Sequence, residues 1–252
     1  MRGQENYMKW LKDARLDASL RNLERMSLEK RVYGRLRGLI EERRGRNAEF
    51  EESEEHLCIV ALSGGADSTA SLILTKRAEL NPLSVTVEAS PYLVTPSLKK
   101  CIEEFCLRLH VPHEFLDRRK EFLDIFSGAL SGGYHPCGRC HDVVVKEVLE
   151  YAKRKDIRTV VFGDMLSCGS ESVKMVDDVV RINLPAMLAM TKEETQGLAG
   201  REEKTFGCAL LKRVSKDFPH MKRYSIARVL RETRAGVLSP QQTEEYIEDI
   251  VG

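Results

Sequence analysis

No stretch of the 252 residues approaches 18 uninterrupted apolar positions, so a transmembrane helix is not expected. The first dozen residues lack the apolar run of a secretory signal and carry Arg2, Glu5, Lys9 and Lys12 instead. Net charge is nearly absent, +1 at pH 7, so no whole-molecule field argues for nucleic acid. There is no internal repeat, and no low-complexity tract beyond a short acidic run. A second C-x-x-C is also missing, so a complete four-cysteine zinc site is not evident. Seven cysteines without a secretion signal imply a reducing, cytoplasmic setting. There, paired cysteines mark metal, cluster or thiol chemistry more often than disulfides.

What is present begins with local charge. Residues 21–46 hold nine Lys/Arg (Arg21, Arg25, Lys30, Arg31, Arg35, Arg37, Arg43, Arg44, Arg46) against four Glu, and Glu49, Glu51, Glu52, Glu54 and Glu55 follow. Such a stripe suits either phosphate contacts or a solvated helix face. Apolar residues recur at helical spacing over 5–26 (Met8, Leu11, Leu16, Leu20) and 28–45 (Val32, Leu36, Leu39, Ile40). Residues 1–55 are therefore expected to form a helical N-terminal extension on a charged linker, and residues 56–252 a larger domain. The length suits one full α/β domain with a smaller appendage.

The pattern changes at Leu57. Leu57-Cys58-Ile59-Val60-Ala61-Leu62 is a continuous apolar run ending in a Gly-rich turn, as a buried parallel strand should be. A helix is expected over 67–80, strands over 83–87, 113–116, 158–162 and 179–184, and helices over 98–109 and 140–154. Strands alternating with helices indicate a doubly wound parallel sheet, with ligands beyond the carboxyl ends of its strands. The Gly-rich turn and Gly163-Asp164 fall at such ends.

Ser63-Gly64-Gly65-Ala66-Asp67-Ser68-Thr69 lies between a predicted strand and a predicted helix. Glycines there bring backbone N–H groups close to an anion, the helix start adds positive potential, and the hydroxyls of Ser63, Ser68 and Thr69 add donors. A Walker A loop is excluded, because no Gly-Lys-Ser/Thr ending follows. The string resembles the Ser-Gly-Gly-x-Asp-Ser motif of the PP-loop ATP pyrophosphatases. That resemblance implies an adenine-nucleotide α-hydrolase-like fold, ATP and Mg2+ as ligands, and Ser63, Gly64, Gly65, Asp67, Ser68 and Thr69 as the pyrophosphate site. It also implies transfer of AMP to a substrate oxygen, which a nitrogen or sulfur nucleophile then displaces.

Cysteines bear on the choice of nucleophile. His135-Pro136-Cys137-Gly138-Arg139-Cys140 precedes a predicted helix, and thiolates at this spacing ligate one metal or cluster, or form a redox pair. A helix starting at Cys140 would lower its pKa. The isolated Cys208 lies well downstream. The set resembles that of the PP-loop tRNA thiolation enzymes making two-thiocytidine and two-thiouridine, in which three cysteines hold a [4Fe–4S] cluster. The resemblance extends to Leu184-Pro185 and to Thr191-Lys192-Glu193-Glu194. It departs after the fourth strand, where Gly163-Asp164-Met165-Leu166 replaces Gly-His and two aspartates. By this resemblance Cys137, Cys140 and Cys208 are metal-binding and catalytic, with Asp67 beside them.

Cys58, Cys101 and Cys106 are expected to be core residues, and Cys168, after the fourth strand, suits a redox or sulfur-relay role near the cleft less well than it suits none. Asp164, at a strand end, suits Mg2+ as well as a turn. His135 and His141 suit ligation or proton transfer as well as partial exposure. Gly132-Gly133-Tyr134 suits a flexible closing loop. The basic stretch 212–234 offers a second surface to RNA. Together these give an ATP-dependent sulfurtransferase acting on tRNA, its sulfur carried by a cysteine-ligated [4Fe–4S] cluster or by a cysteine persulfide, with a small-molecule sulfurtransferase or amide ligase, or a non-catalytic binding module, as alternatives. A homodimer is compatible with all three.

Overall fold

The computed structural model describes residues 2–91, 93–166, 171–201 and 205–252; Cys168 lies outside them. Six strands form one sheet: β1 (Ile59–Ala61), β2 (Leu83–Glu88), β3 (His113–Asp117), β4 (Thr159–Phe162), β5 (Val173–Val176) and β6 (Val179–Asn183). Their order is β3-β2-β1-β4-β6-β5, all parallel except the antiparallel edge strand β5. The doubly wound α/β expectation is met. The strand order reverses between β1 and β4, where a crevice opens at the carboxyl ends.

Side chains alternate across the sheet, as a strand's two-residue period requires. Val60, Leu62, Val161, Val180 and Ile182 enter one core; Ile59, Val85, Val87, Val160, Phe162 and Val179 enter the other. The first core is covered partly by α3 (Ala66–Arg77) and α4 (Pro96–Arg108), through Leu72, Leu74 and Ile102. It also takes Leu16 and Leu23 from α1 (Arg2–Arg25), and Val32, Leu36, Leu39 and Ile40 from α2 (Lys30–Arg43). Phe122 and Ile125 of α5 (Arg119–Leu130), with Val148, Leu149 and Ala152 of α6 (Pro136–Arg154), fill the second. After β6 come α7 (Leu184–Met187), α8 (Lys192–Ala199), α9 (Ala209–Asp217), α10 (Lys222–Arg234) and α11 (Pro240–Val251).

Several local expectations change. Helix α6 begins at Pro136, not at residue 140, so both cysteines of the C-x-x-C lie in its first two turns. Helix α5 and strand β5 had no counterpart in the sequence reading. Cys58 and Cys106 are buried as expected, but Cys101 is exposed. Five residues along a helix turn the side chain well away from its neighbour, and only one of the two reaches the core. The expected closing loop is pinned: the Tyr134 hydroxyl donates to the carbonyls of Asp124 and Ile125, and its ring lies under the Arg139 guanidinium. Among the described residues no helix is long and apolar enough to cross a membrane.

Candidate active site

The loop of residues 63–69 leaves β1 at the switch point and enters α3, whose first turn contains Asp67 and Ser68. Gly64 adopts φ +77°, so the tight turn requires glycine, and a Cβ there would also stand 2.8 Å from Leu98 Cδ1 and displace that side chain. The hydroxyls close the loop on itself. Ser68 Oγ accepts from the Ser63 amide at 3.1 Å and donates to the Gly65 carbonyl at 3.1 Å, while Ser63 Oγ accepts from the Gly65 amide at 3.2 Å. A cavity of about 220 Å3, walled by Leu98, Ile102 and Phe105, opens beside Gly64 and Thr69.

β4 ends against this loop. A Cβ on Gly163 would lie 2.6 Å from the Ser68 amide nitrogen and 2.8 Å from the Asp67 carbonyl carbon, both unyielding backbone. Gly163→Ala is therefore expected to push β4 and α3 apart, at about 1–3 kcal/mol of stability. A urea melt measures the loss. The same variant should displace the amides of residues 63–69, which move with α3.

Asp67 is not a free carboxylate. Lys192, 8% exposed at the start of α8, donates to both its oxygens at 3.0 and 2.9 Å, and Thr195 Oγ1 donates to Oδ1 at 2.7 Å. The loop has no lysine of its own, and α8 brings one to its edge from 125 residues away. In the sequence, Lys192 stands within a resembling stretch but carries no assigned role.

Asp164, just beyond β4, accepts from Arg181 Nη2 at 2.8 Å. The same Arg181 nitrogen lies 3.1 Å from His141 Nε2, and its guanidinium stacks over the Phe162 ring at 4.7 Å. A guanidinium can only donate, so His141 Nε2 is the acceptor and its ring proton sits on Nδ1. Both carboxylates singled out from sequence, Asp67 and Asp164, thus face a buried cation, and Mg2+ would have to share them.

The cysteines come together. Burial first, then the nearby Cys208, pushes the Cys137 thiol up to about 11, against the pull of Arg228. Burial, Cys137 and Cys208, in that order, push Cys140 up to about 12. The lowering expected for Cys140 at a helix start is overturned, because desolvation and neighbouring sulfurs outweigh the helix dipole. Cys208 is exposed at the N-cap of α9, so two helices start at the three thiols. Arg228 on α10 feels the charges of both Cys137 and Asp164, joining the sulfur cluster to the end of β4. His135 packs against Tyr224 at 5.3 Å, and its buried Nε2 has no partner among the described residues. Among the described residues, no three His, Cys, Asp or Glu side chains gather closely enough to hold one metal ion.

No family model matches the chain. Among solved structures it is similar to the U34-tRNA thiolase NcsA from Methanococcus maripaludis with its [4Fe-4S] cluster, at 12% identity, covering 87% of this chain and 77% of that one, with a TM-score of 0.46. It is also similar to the NH3-dependent NAD synthetase from Campylobacter jejuni, at 12% identity, covering 96% and 94%, with a TM-score of 0.42. At these scores the two likenesses bear on neither activity nor substrate. Among curated proteins, MJ1599 of Methanocaldococcus jannaschii, described as uncharacterized, is 27% identical over 57% of this chain and 51% of its own length. A second uncharacterized protein of that organism, MJ1638, is 31% identical over 98% of this chain and 96% of its own length. The chain therefore belongs to the same family as MJ1638.

Proposed function

We propose that this protein is an AMP-forming ATP pyrophosphatase of the PP-loop type that activates a carbonyl oxygen of a tRNA base and replaces it with sulfur. The observation that supports this reading is the gathering of Cys137, Cys140 and Cys208 next to Arg228 and Asp164, at the sheet edge that carries the phosphate loop.

The amides of residues 63–69 and the start of α3 receive the ATP phosphates, and the cavity beside Gly64, lined by Leu98, Ile102 and Phe105 together with Arg108 and Arg201, receives the base. Lys192 places its charge beside the loop, and Asp67 and Asp164 would hold Mg2+, which would share them with Lys192 and Arg181. The base oxygen attacks the α-phosphorus and pyrophosphate leaves. A sulfur nucleophile then attacks the activated carbon, the C–O bond breaks and AMP departs. His141, whose Nε2 accepts from Arg181, helps to hold that guanidinium against Asp164 at the end of β4.

Three soft donors, of which Cys137 and Cys140 are kept protonated by burial and by neighbouring sulfurs, make a site that a bound cation would ionise. The donor set suits iron–sulfur chemistry. It does not suit a single ion, since no three ligating side chains among the described residues meet around one point. A cluster takes one thiolate per iron and spans a wider gap. When bound, a [4Fe–4S] cluster held by Cys137, Cys140 and Cys208 would offer an iron with a free position for sulfur.

The test is anaerobic reconstitution with iron and sulfide, followed by incubation with ATP, a sulfide source and unmodified tRNA. Stoichiometric iron, AMP and thiolated nucleosides are expected. Colourless, iron-free protein after reconstitution would remove the cluster. Pyrophosphate release with small metabolites but never with tRNA would move the reaction to a small-molecule acceptor.

A further inference from the structure

The basic stripe that sequence offered to RNA is largely spent inside the protein. Arg31, Arg37, Arg43, Arg44 and Arg46 each face a carboxylate within 4.0 Å, chiefly Glu29, Glu41, Glu55, Asp17 and Glu194. Positive charge without such partners lies elsewhere. Helix α1 crosses the turn between α10 and α11, and a cavity of about 350 Å3 lies between them, α2 and α8. Lys9, Lys12, Arg15 and Arg43 line it, and Glu194 is the one carboxylate among its lining residues. Glu194 is already consumed, accepting from Arg43 Nη2 at 2.9 and 2.8 Å with its two oxygens. Among the described residues, Lys9 and Lys12 pair with no carboxylate.

Arg15 shows the same excess of charge. It donates to the main-chain carbonyl of Ala235 at 3.0 Å and, at 3.5 Å, to those of Met165 and Ala186. Dipoles therefore solvate its charge without neutralising it. Burial, and next to it the charge of Arg43, hold its pKa below the usual arginine value. With Arg43 and Glu194 paired to each other, Arg15 and the ammonium groups of Lys9 and Lys12 leave the cavity with more positive than negative charge, an excess that an anion rich in acceptor oxygens relieves.

We propose that this cavity binds a phosphate group, supplied by the backbone of the RNA substrate. The inference rests on the RNA reading only for the owner of the phosphate; the site itself follows from the cations. Through Arg15 the cavity adjoins Met165, the residue following Asp164, so a backbone held here would run toward the sheet edge that carries the cysteines.

The experiment compares the full-length wild type with Lys9→Gln/Lys12→Gln, a variant at the cavity mouth that removes no described hydrogen bond. Filter binding of unmodified tRNA across a potassium chloride series gives the salt slope, and calorimetry with inorganic phosphate gives the small-anion arm. The double variant is expected to flatten the slope of log affinity against log salt by about 1, with ATP affinity unchanged. An unchanged tRNA slope with weakened phosphate binding keeps the cavity as a phosphate site and assigns it to a free anion. No change in either arm overturns the proposal. A wild type that binds no tRNA at all sinks the RNA reading, while the phosphate arm still decides the cavity.

Discussion

Lys192→Met is expected to reduce ATP-dependent pyrophosphate release by about 100- to 1000-fold, the usual cost of removing one preorganised charge from a site where negative charge develops. It also strands Asp67. Removing one partner of a buried pair costs about 3–5 kcal/mol. Here the remaining bond from Thr195 and the start of α3 soften the loss, so the lower end or slightly below is expected. A companion variant separates the two effects. Asp67→Asn added to Lys192→Met removes the orphaned carboxylate and should return much of the stability in a urea melt, since deleting both partners costs less than deleting one. Activity should stay lost, because neither cation nor carboxylate is restored. Undiminished pyrophosphate release by Lys192→Met, despite its lower stability, would make Lys192 a purely structural residue.

That pair also marks the limit of what the sequence reveals. The phosphate loop is legible because its signals are local: an apolar run for β1, a glycine that the φ of +77° at Gly64 demands, and a hydroxyl-rich helix start. The parallel order follows from alternation of strands and helices, and Gly163 from its place at a strand end. The bond between Lys192 and Asp67 spans 125 residues, and no periodicity encodes it. The early start of α6 was readable, since proline at a first helical position is a standard N1 signal and Pro136 occupies it. Strand β5 is four residues long at the sheet edge and shows too little alternation to stand out. The upward shift at Cys140 was not readable, because it depends on sulfurs and apolar groups brought from α9 and the second core.

Those thiols carry the second large prediction. Reaction with iodoacetamide follows the thiolate fraction, so in metal-free protein at about pH 7.5 Cys137 and Cys140 should react far more slowly than an ordinary thiol. Their rates should climb about tenfold per pH unit until the pH nears 11 for Cys137 and 12 for Cys140. Cys208→Ala removes a neighbour that raises both, so it should accelerate alkylation of the other two at fixed pH. The linkage sign agrees. A thiol whose folded pKa exceeds the unfolded value of about 8.5 contributes stability below that pH and loses it as the pH rises through the folded value. The melting temperature of the wild type should therefore fall between about pH 9 and the folded value of about 11 at Cys137, and fall less in Cys140→Ser. Iron tells the same story from the other side. Each of Cys137→Ser, Cys140→Ser and Cys208→Ser should drop reconstituted iron to background and end thiolation, while tRNA-independent ATP binding at the loop persists. Ordinary, uncoupled pH profiles for the three thiols would mean that they do not form one site. The loop would then remain an ATP site with no sulfur chemistry attached.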